Sequence, residues 1–328
     1  MSHGPNFTHL LVLPRLHIQN ANAISSPLTH GFPSMTAFTG FMWALERKTL
    51  TADLDIAFKG IGVVCHQHQE QATEGGFIKA FHLTRNPAAK DGSTAAIVEE
   101  GRIHIEVSLI LALESDRWQR DPQAQQDDIH TIKPMVDAMR IAGGSVVPPD
   151  HPRLPRYQPQ VVDLTGNETD RLDAFRKLRL RLVPGFTLVS RDDLIAQRHE
   201  ALTAEDKQAT RLDAWLSLSR INWRYHADNA EWQHDRHGLG WAVPIPVGYG
   251  ALGDIHPGGD ITNARDPDTP FRFVESLYSM GEWISPHRLE QAEQLIWYPR
   301  TRPEDGLYRC CNDYRPVADP FESLYDFD

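Results

Sequence analysis

An α+β fold, with a ferredoxin-like, RRM-like head of order βαββαβ carrying an insertion and a largely helical second part, is predicted by three features. Segments of the first half alternate as strand, helix, strand, strand, helix, strand, the split βαβ order that RNA-recognition domains also use. Within it, "RIHIEVSLILAL" (102–113) sets Ile103, Ile105, Val107, Leu109, Leu111 and Leu113 against His104, Glu106 and Ser108, the period of a strand with one buried face. After a proline-rich connector, "PPDHPRLPRYQP" (148–159), the apolar spacing becomes mainly helical. The head is therefore placed at 1–150, with its insertion at 67–101, and the second, mixed and largely helical part at 151–328.

The elements follow from local chemistry. Leu10 to Ile18 reads as a buried strand with an irregularity at Pro14. Ser34 is a good helix N-cap, and Phe38, Phe41, Met42 and Leu45 then fall at helical spacing. Gly40 in that helix costs roughly 1 kcal/mol relative to alanine and signals close approach of another backbone. "KGIGVVCH" (59–66) is a second strand, and "STAAIVEE" in the insertion a short helix. A helix is expected over Asp127–Ile141, interrupted or started late by Pro134, and "GGSVVP" is a last strand entered through two glycines. Further on, "TDRLDAFRKLRLRLV", "RDDLIAQRHEAL" and "TRLDAWLSLSRI" read as helices and "PGFTLVS" as a strand. "SPHRLEQAEQLIWY" reads as a helix with Ser285 at its N-cap and Pro286 first.

Composition narrows the function. No apolar run approaches the roughly 20 residues of a membrane span, and the start lacks the basic and apolar regions of a signal peptide, so the expected location is cytoplasmic and no membrane is expected as a partner. Three cysteines (Cys65, Cys310, Cys311) are too few and badly spaced for a disulfide framework or a zinc knuckle. A net charge of −11 argues against holding nucleic acid by general electrostatics. The excess is local, however. Residues 1–110 carry 8 basic and 9 acidic side chains, residues 111–200 carry 13 and 14, and residues 201–328 carry 12 and 21. The first 200 residues thus leave room for a local basic surface. Only 7 of the 33 basic residues are lysine; arginine forks onto phosphate and stacks on bases, although a GC-rich genome alone would also favour it.

Glycine-rich nucleotide loops and serine elbows (GxGxxG, GxxxxGK[ST], GxSxG) are absent. "CHQH" (65–68) and "HDRH" (234–237) lack a second ligand cluster at convincing spacing, so no metal or other cofactor is expected. His104 and Glu106 share a strand face, which suits acid–base work and equally an exposed polar face. The segment "QNANAISSPLTHGFPS" (19–34) is the most unusual. It holds three amides and four hydroxyls but no charged carboxylate, lysine or arginine, and it runs from a strand into a helix N-terminus, where free N–H groups suit phosphate. Asn20, Asn22, Ser25, Ser26 and His30 are candidate contacts; alternatively, these side chains satisfy the loop's own backbone. "LTRNP" and "TNARD" each place an arginine beside an asparagine (Arg85 and Asn86; Arg265), and Arg140 precedes the glycine-rich strand. The basic helix near Arg176 suits either RNA or a solvated face.

The segments "LLVLPRLHIQNANAISSPLTHGFPS", "NPAAKDGSTAAIVEEGRIHIEVSL", "MRIAGGSVVP", "PGFTLVSR" and "NARDPDTPFRFVESLYSMGEWISPHR" closely resemble, in the same order, the Cas-five-type second-subunit family of the type I-F CRISPR Csy surveillance complex. The resemblance runs from about residue 10 to about residue 310; residues 115–130, 150–170, 200–240 and the tail after Arg309 diverge. It implies a non-catalytic RNA-binding scaffold. Such a subunit grips the 5′ handle of the crRNA, pairs with the large subunit that inspects target DNA, abuts the first backbone subunit, and meets target DNA near the PAM-proximal end only indirectly. An inserted thumb, at 67–101 here, pries at the guide–target duplex. The alternative is a metal-independent endoribonuclease that processes guide RNA, for which His17 and His104 are the candidate bases. A third is a protein adaptor that never touches RNA. On the scaffold reading, the expected RNA contacts are Asn20, Asn22, Ser25, Ser26, His30, Arg85, Asn86, Arg140 and Arg265, with no catalytic residue.

Overall fold

In chain order the first elements are β1 (His9–Asn22), β2 (Ile24–Ser26), β3 (Thr29–His30), α1 (Met35–Thr51) and β4 (Ala57–Glu70). Two small hairpins follow, β5 (Ala72–Gly75) with β6 (Ile78–Phe81) and β7 (Leu83–Arg85) with β8 (Ile97–Glu99). Then come β9 (Arg102–Glu114), α2 (Asp116–Arg120), α3 (Pro122–Asp137), β10 (Arg140–Ile141) and β11 (Gly144–Val147). The rest comprises β12 (Gln160–Asp163), α4 (Glu168–Arg181), β13 (Phe186–Ser190), α5 (Asp192–Glu205), α6 (Arg211–Leu218), the hairpin β14 (Trp223–His226) with β15 (Glu231–His234), β16 (Ala242–Ala251), β17 (Val274–Ile284), β18 (Trp297–Arg302) and β19 (Leu307–Asn312). This computed structural model describes residues 4–76, 78–85, 88, 91–226, 230–262, 264 and 266–316. No helix among them is long and apolar enough to cross a membrane.

The molecule is mixed α and β around one large antiparallel sheet. Its order is β10-β11-β1-β9-β4-β13-β17-β16-β19-β18, with β12 added to β1. Alternation within β1 shows how the layers form. Leu11 and Leu13 point into a core shared with Phe38, Met42 and Trp118, whereas Leu10 and Val12 point into a second core with Phe175 and Leu178 of α4. Both faces are covered there, so every residue from His9 to Leu13 is buried. Beyond Pro14 the register against β9 skips between Leu13 and Leu16, with Arg15 at φ 49°, as the proline predicts. Ile18 still enters the first core, but His17 and Gln19 now line an open face. β9 repeats this code: Ile110 and Ala112 face α4's core, while His104 and Glu106 lie on the uncovered end.

β4 joins the two parts of the chain. One edge pairs along β9; the other receives β13 at Val64 and Cys65 and, lower down, β18 at Ile61. Strands β13, β17, β16, β19 and β18 thus leave β4 and return to it. The returning chain presses against Gly60 and Gly62. A Cβ on Gly60 would lie 2.8 Å from the Trp297 carbonyl oxygen, and one on Gly62 would lie 2.7 Å from Leu295 Cγ. Buried polar groups inside this arch are satisfied: Trp297 Nε1–H donates to the Leu188 carbonyl (2.8 Å), and the Asn312 amide donates to the carbonyls of Gln294 (2.8 Å) and Ile296 (3.1 Å).

Four expectations are corrected. The second part is not largely helical: between residues 160 and 312 the described chain has eight strands and three α-helices. Its strands pair over long sequence distances, and "AVPIPVGYGA" hides one behind two prolines and two glycines. Pro244 and Pro246 are tolerated because β19 reaches β16 only at Gly248–Gly250, leaving no partner there for the missing N–H groups. "STAAIVEE" is not helical; Ile97–Glu99 pairs with Leu83–Arg85, and the Glu99 carboxylate accepts the Phe81 N–H at 2.8 Å. The helix expected to reach Ile141 begins at Pro122 and ends at Asp137, since Arg140 and Ile141 are needed opposite Ser145 and Gly144. "SPHRLEQAEQLIWY" forms two 3₁₀ turns and then β18, because Leu295, Ile296 and Trp297 are all buried in succession over β4, which one helix face cannot achieve.

His66 of β4 ties the parts together. Its Nδ1–H donates to the Pro184 carbonyl (2.7 Å), and its Nε2 accepts from the Ser108 hydroxyl (2.7 Å), which in turn accepts the Arg15 N–H (3.1 Å). Burial holds its pKa below the ordinary 6.5, as it does for His9. The unfolded chain therefore takes up protons near 6.5 that the folded chain resists. The resulting stabilisation is full above that value and is lost as pH falls toward the folded pKa. Urea midpoints measured from pH 7.5 down to pH 5.5 (about two units spanning the ordinary His pKa) are expected to fall, and His66→Gln to flatten that slope. Gly60→Ala is expected to destabilise the fold by about 1–3 kcal/mol in the same assay.

Candidate nucleic-acid interface

Residues 19–34 form a wired loop. Asn20 sits in the left-handed region (φ 57°), which asparagine tolerates, and its N–H donates to His104 Nδ1 at 3.1 Å. Its side chain is exposed. Asn22 closes on its neighbour: its amide donates to the Ile24 carbonyl (2.7 Å) and accepts the Ile24 N–H (3.1 Å). The hydroxyls make one consistent relay, Ser26 to Thr29 (2.7 Å), Thr29 to Ser25 (2.8 Å), and Ser25 to the Thr29 carbonyl (3.1 Å). Each hydroxyl has a single proton, so their donors are spent inside the loop and only lone pairs face outward. His30 Nδ1 lies 3.0 Å from Glu70, with its ring edge-on to Phe81. Asn22, Ser25 and Ser26 therefore serve the loop's own order first.

The loop's second edge borders a groove of about 490 Å³. Asn22 and Ser25 line it together with Ser34 and Gly40 of the α1 end, Arg140 of β10, and Tyr249 of β16. Ser34 caps α1 by accepting the Thr36 N–H at 3.2 Å, and its carbonyl accepts the Ala37 N–H at 2.9 Å, so this surface borders the positive end of a 17-residue helix. Arg140 is exposed, and no ion-pair partner for it occurs among the described residues. It is aimed by the tight β10–β11 turn, whose residues Ala142 (φ 49°) and Gly143 (φ 78°) both take positive φ. Gly40 is exposed, and no atom lies within 4 Å of where its Cβ would be. The close approach its presence predicts is thus not made among the described residues; it leaves an open floor.

On the outer face of β1, β9 and β4 lies a shelf of about 690 Å³ lined by His17, Gln19, Gln67, Gln69, His104 and Glu106. Glu106 is held by Arg15 at 2.6 Å, and His17 Nε2 stands 3.4 Å from its other oxygen. Arg85 is exposed on β7, in the insertion. Asn86 and Arg265 lie outside the described residues. The structure thus brings Asn22, Ser25 and Arg140 into one groove, places Asn20 at the edge of the shelf beside His104, and leaves Arg85 apart on the hairpins. Tyr249 was missed by sequence reasoning; it reaches α1 only through the arch, its hydroxyl 3.5 Å from that of Thr36. The histidines of "HDRH" stack on each other (His234–His237, 4.3 Å).

Thr29 is the hub of the loop. Thr29→Val removes both hydroxyl links and is expected to cost about 1–3 kcal/mol, read as a lower denaturation midpoint and faster amide exchange over residues 24–31.

The chain was compared with known proteins. The family described as "CRISPR-associated protein (Cas_Csy2)" matches residues 11–310. The "CRISPR-associated protein Csy2" of Pseudomonas aeruginosa (strain UCBPP-PA14) is 48% identical over 311 residues, covering 92% of this chain and 94% of that relative. The match takes in β1, the wired loop, the groove and most of the arch. The chain belongs to the Cas_Csy2 family of CRISPR-associated proteins.

Proposed function

We propose that this chain is a non-catalytic, RNA-binding structural subunit of a type I-F Csy surveillance complex, the Cas-five-type member. It grips the crRNA 5′ handle, docks the large subunit, abuts the adjacent backbone subunit, and meets target DNA near the PAM-proximal end only through the assembly. The observation that carries this reading is the groove. Two candidate polar residues of the wired loop and an exposed arginine more than 110 positions away in sequence meet beside a helix N-terminus, over a floor kept open by Gly40. Splayed single-stranded RNA needs that combination: a cation and the positive end of a helix dipole for phosphate, and fixed polar atoms for base edges. The acidic balance of the whole chain is compatible with such a local site, because subunits of an assembly share the work of phosphate neutralisation. The strand order β11-β1-β9-β4, antiparallel throughout, with α1 and α3 packed on one face, supports a ferredoxin-like head with its thumb in the β5–β8 hairpins.

The nuclease alternative rests on His17 and His104. His104 is a poor base as folded: its Nδ1 lone pair already accepts the Asn20 N–H, which leaves a neutral imidazole with only a donor at Nε2. His17 beside Glu106 is the better placed of the two.

The test is binding of a fluorescent 5′-handle RNA, against a scrambled handle, by the chain co-expressed with its large subunit, with the same samples run on a denaturing gel. Tight, sequence-dependent binding of intact RNA is expected, and His17→Ala with His104→Ala should leave guide maturation unchanged; cut RNA would favour the nuclease, and no binding of either RNA the adaptor. Arg140→Ala and Asn20→Ala should each weaken handle binding by about 1–3 kcal/mol. Gly40→Ala separates fold from function: it should stabilise α1 by roughly 1 kcal/mol while weakening the RNA complex.

A further inference from the structure

Across the wired loop from the groove lies a second cleft of about 600 Å³ with a different chemistry. One wall is aromatic: Phe32 of the loop, Phe186 at the start of β13, Trp241 just before β16, and Trp283 of β17. The rings hold one another in place. Phe186 meets Trp241 at 5.7 Å between centroids, Trp241 lies 6.2 Å from Trp283, and Trp283 meets Phe32 edge-on at 4.9 Å. Yet Phe186 and Trp241 remain 45% and 53% exposed, a large apolar area left facing solvent. The facing wall comes from β4 and the β5–β6 hairpin and carries His66, His68, Glu74 and Glu70, one of whose oxygens already meets His30 at 3.0 Å. Among the described residues no arginine lines the cleft, and the one lysine that does, Lys79, is engaged by Glu74 at 2.5 Å.

Both walls favour the same kind of visitor. Ring faces carry negative quadrupole density and attract cations, and carboxylates do so more strongly. Among the described residues, the chain's own arginines stack over Tyr157, Phe7 and Tyr298, and none over these four rings. A phosphate or a strand of nucleic acid would meet two carboxylates without a free cation to offset them. We infer that this cleft receives an arginine side chain from a protein partner, its guanidinium laid on Trp241 and its N–H groups turned to Glu70 and Glu74. Arginine fits better than lysine because a planar, weakly hydrated guanidinium stacks on an indole while forking onto carboxylates. The inference rests on the reading that the chain works within an assembly, and it does not require the RNA contact.

The experiment uses the full chain labelled with ¹⁵N at the tryptophan indoles, with the Trp241 signal identified by its loss in Trp241→Phe. Three probes are titrated: acetyl-Gly-Arg-Gly-amide, the same peptide with neutral citrulline in place of arginine, and adenosine. The arginine peptide is expected to shift the Trp241 signal saturably and the citrulline peptide not to. Glu74→Gln should weaken the arginine peptide about two- to fivefold, and Lys79→Ala, which frees Glu74, should tighten it by a similar factor. A shift with adenosine but not with arginine would overturn the inference in favour of a nucleobase pocket. Equal response to arginine and citrulline, or no response to any probe, would overturn it outright. Handle-RNA affinity of Trp241→Phe should match that of the unaltered chain, so a failure of the RNA reading would affect both proteins and remain separable.

Discussion

The structure depends on β4 finding backbone partners along both edges. A strand in that position must satisfy its N–H and C=O groups on each side, and on the outer side it does so with two different strands, β13 above and β18 below. Everything after the connector is organised by that demand. β13 leads to β17, β17 to β16, and the path returns through β19 to β18, which arrives opposite Ile61. Gly60 and Gly62 are the local condition for the return, because any side chain there would occupy the space of Leu295, Ile296 and Trp297. The His66 hydrogen bonds to Ser108 and Pro184 fasten the same junction from the polar side.

The two candidate binding surfaces lie on either side of one loop and differ because their neighbours differ. Toward α1 the loop is bordered by a helix N-terminus, Arg140 and an open glycine, a neutral-to-positive setting. Toward the arch it is bordered by indole and phenyl rings and by carboxylates. Pro33, buried, and Phe32, stacked on Phe38 at 5.6 Å, hold the segment between them. A single chain segment thus separates a surface suited to polyanions from one suited to cations. The rigidity needed for that division comes from the Ser25–Ser26–Thr29 relay together with that apolar anchoring.

The head was largely legible in the sequence because its signals are local. Period-two alternation marked β9, Ser34 marked the start of α1, and Pro14 marked the bulge in β1. Even the open shelf was written there: β1 and β9 pass from continuous apolar runs, where both faces are covered, to alternation at His17 and His104, where one is not. The second part was much less legible, since several of its strands are defined by distant partners: β13 pairs with β17 at 91 to 97 positions and β18 meets β4 at 236. Prolines in β16 and a helix-like spacing before β18 pointed the wrong way, and tertiary pairing overrode both. The site was half legible. Asn22, Ser25 and Arg140 stood out singly by their chemistry, but their meeting in one groove, like Tyr249 and the aromatic wall, depends on tertiary pairing that no local pattern announces. The bonding inside the loop was open to either reading, and in the fold Asn22, Ser25 and Ser26 turn first to the loop's own backbone.

The shared strand also bears on how such a chain can change over evolutionary time. The connector at 148–159 has the composition of a joint between separable modules, yet a fragment ending there would carry β4 with a bare outer edge, an exposed template for pairing with other chains. Recombination at the connector is therefore closed off unless a substitute strand arrives with it. Substitution is expected to cost less where no backbone pairing with the large sheet is at stake, in the β5–β8 hairpins and the β14–β15 hairpin, whose strand ladders close within each hairpin.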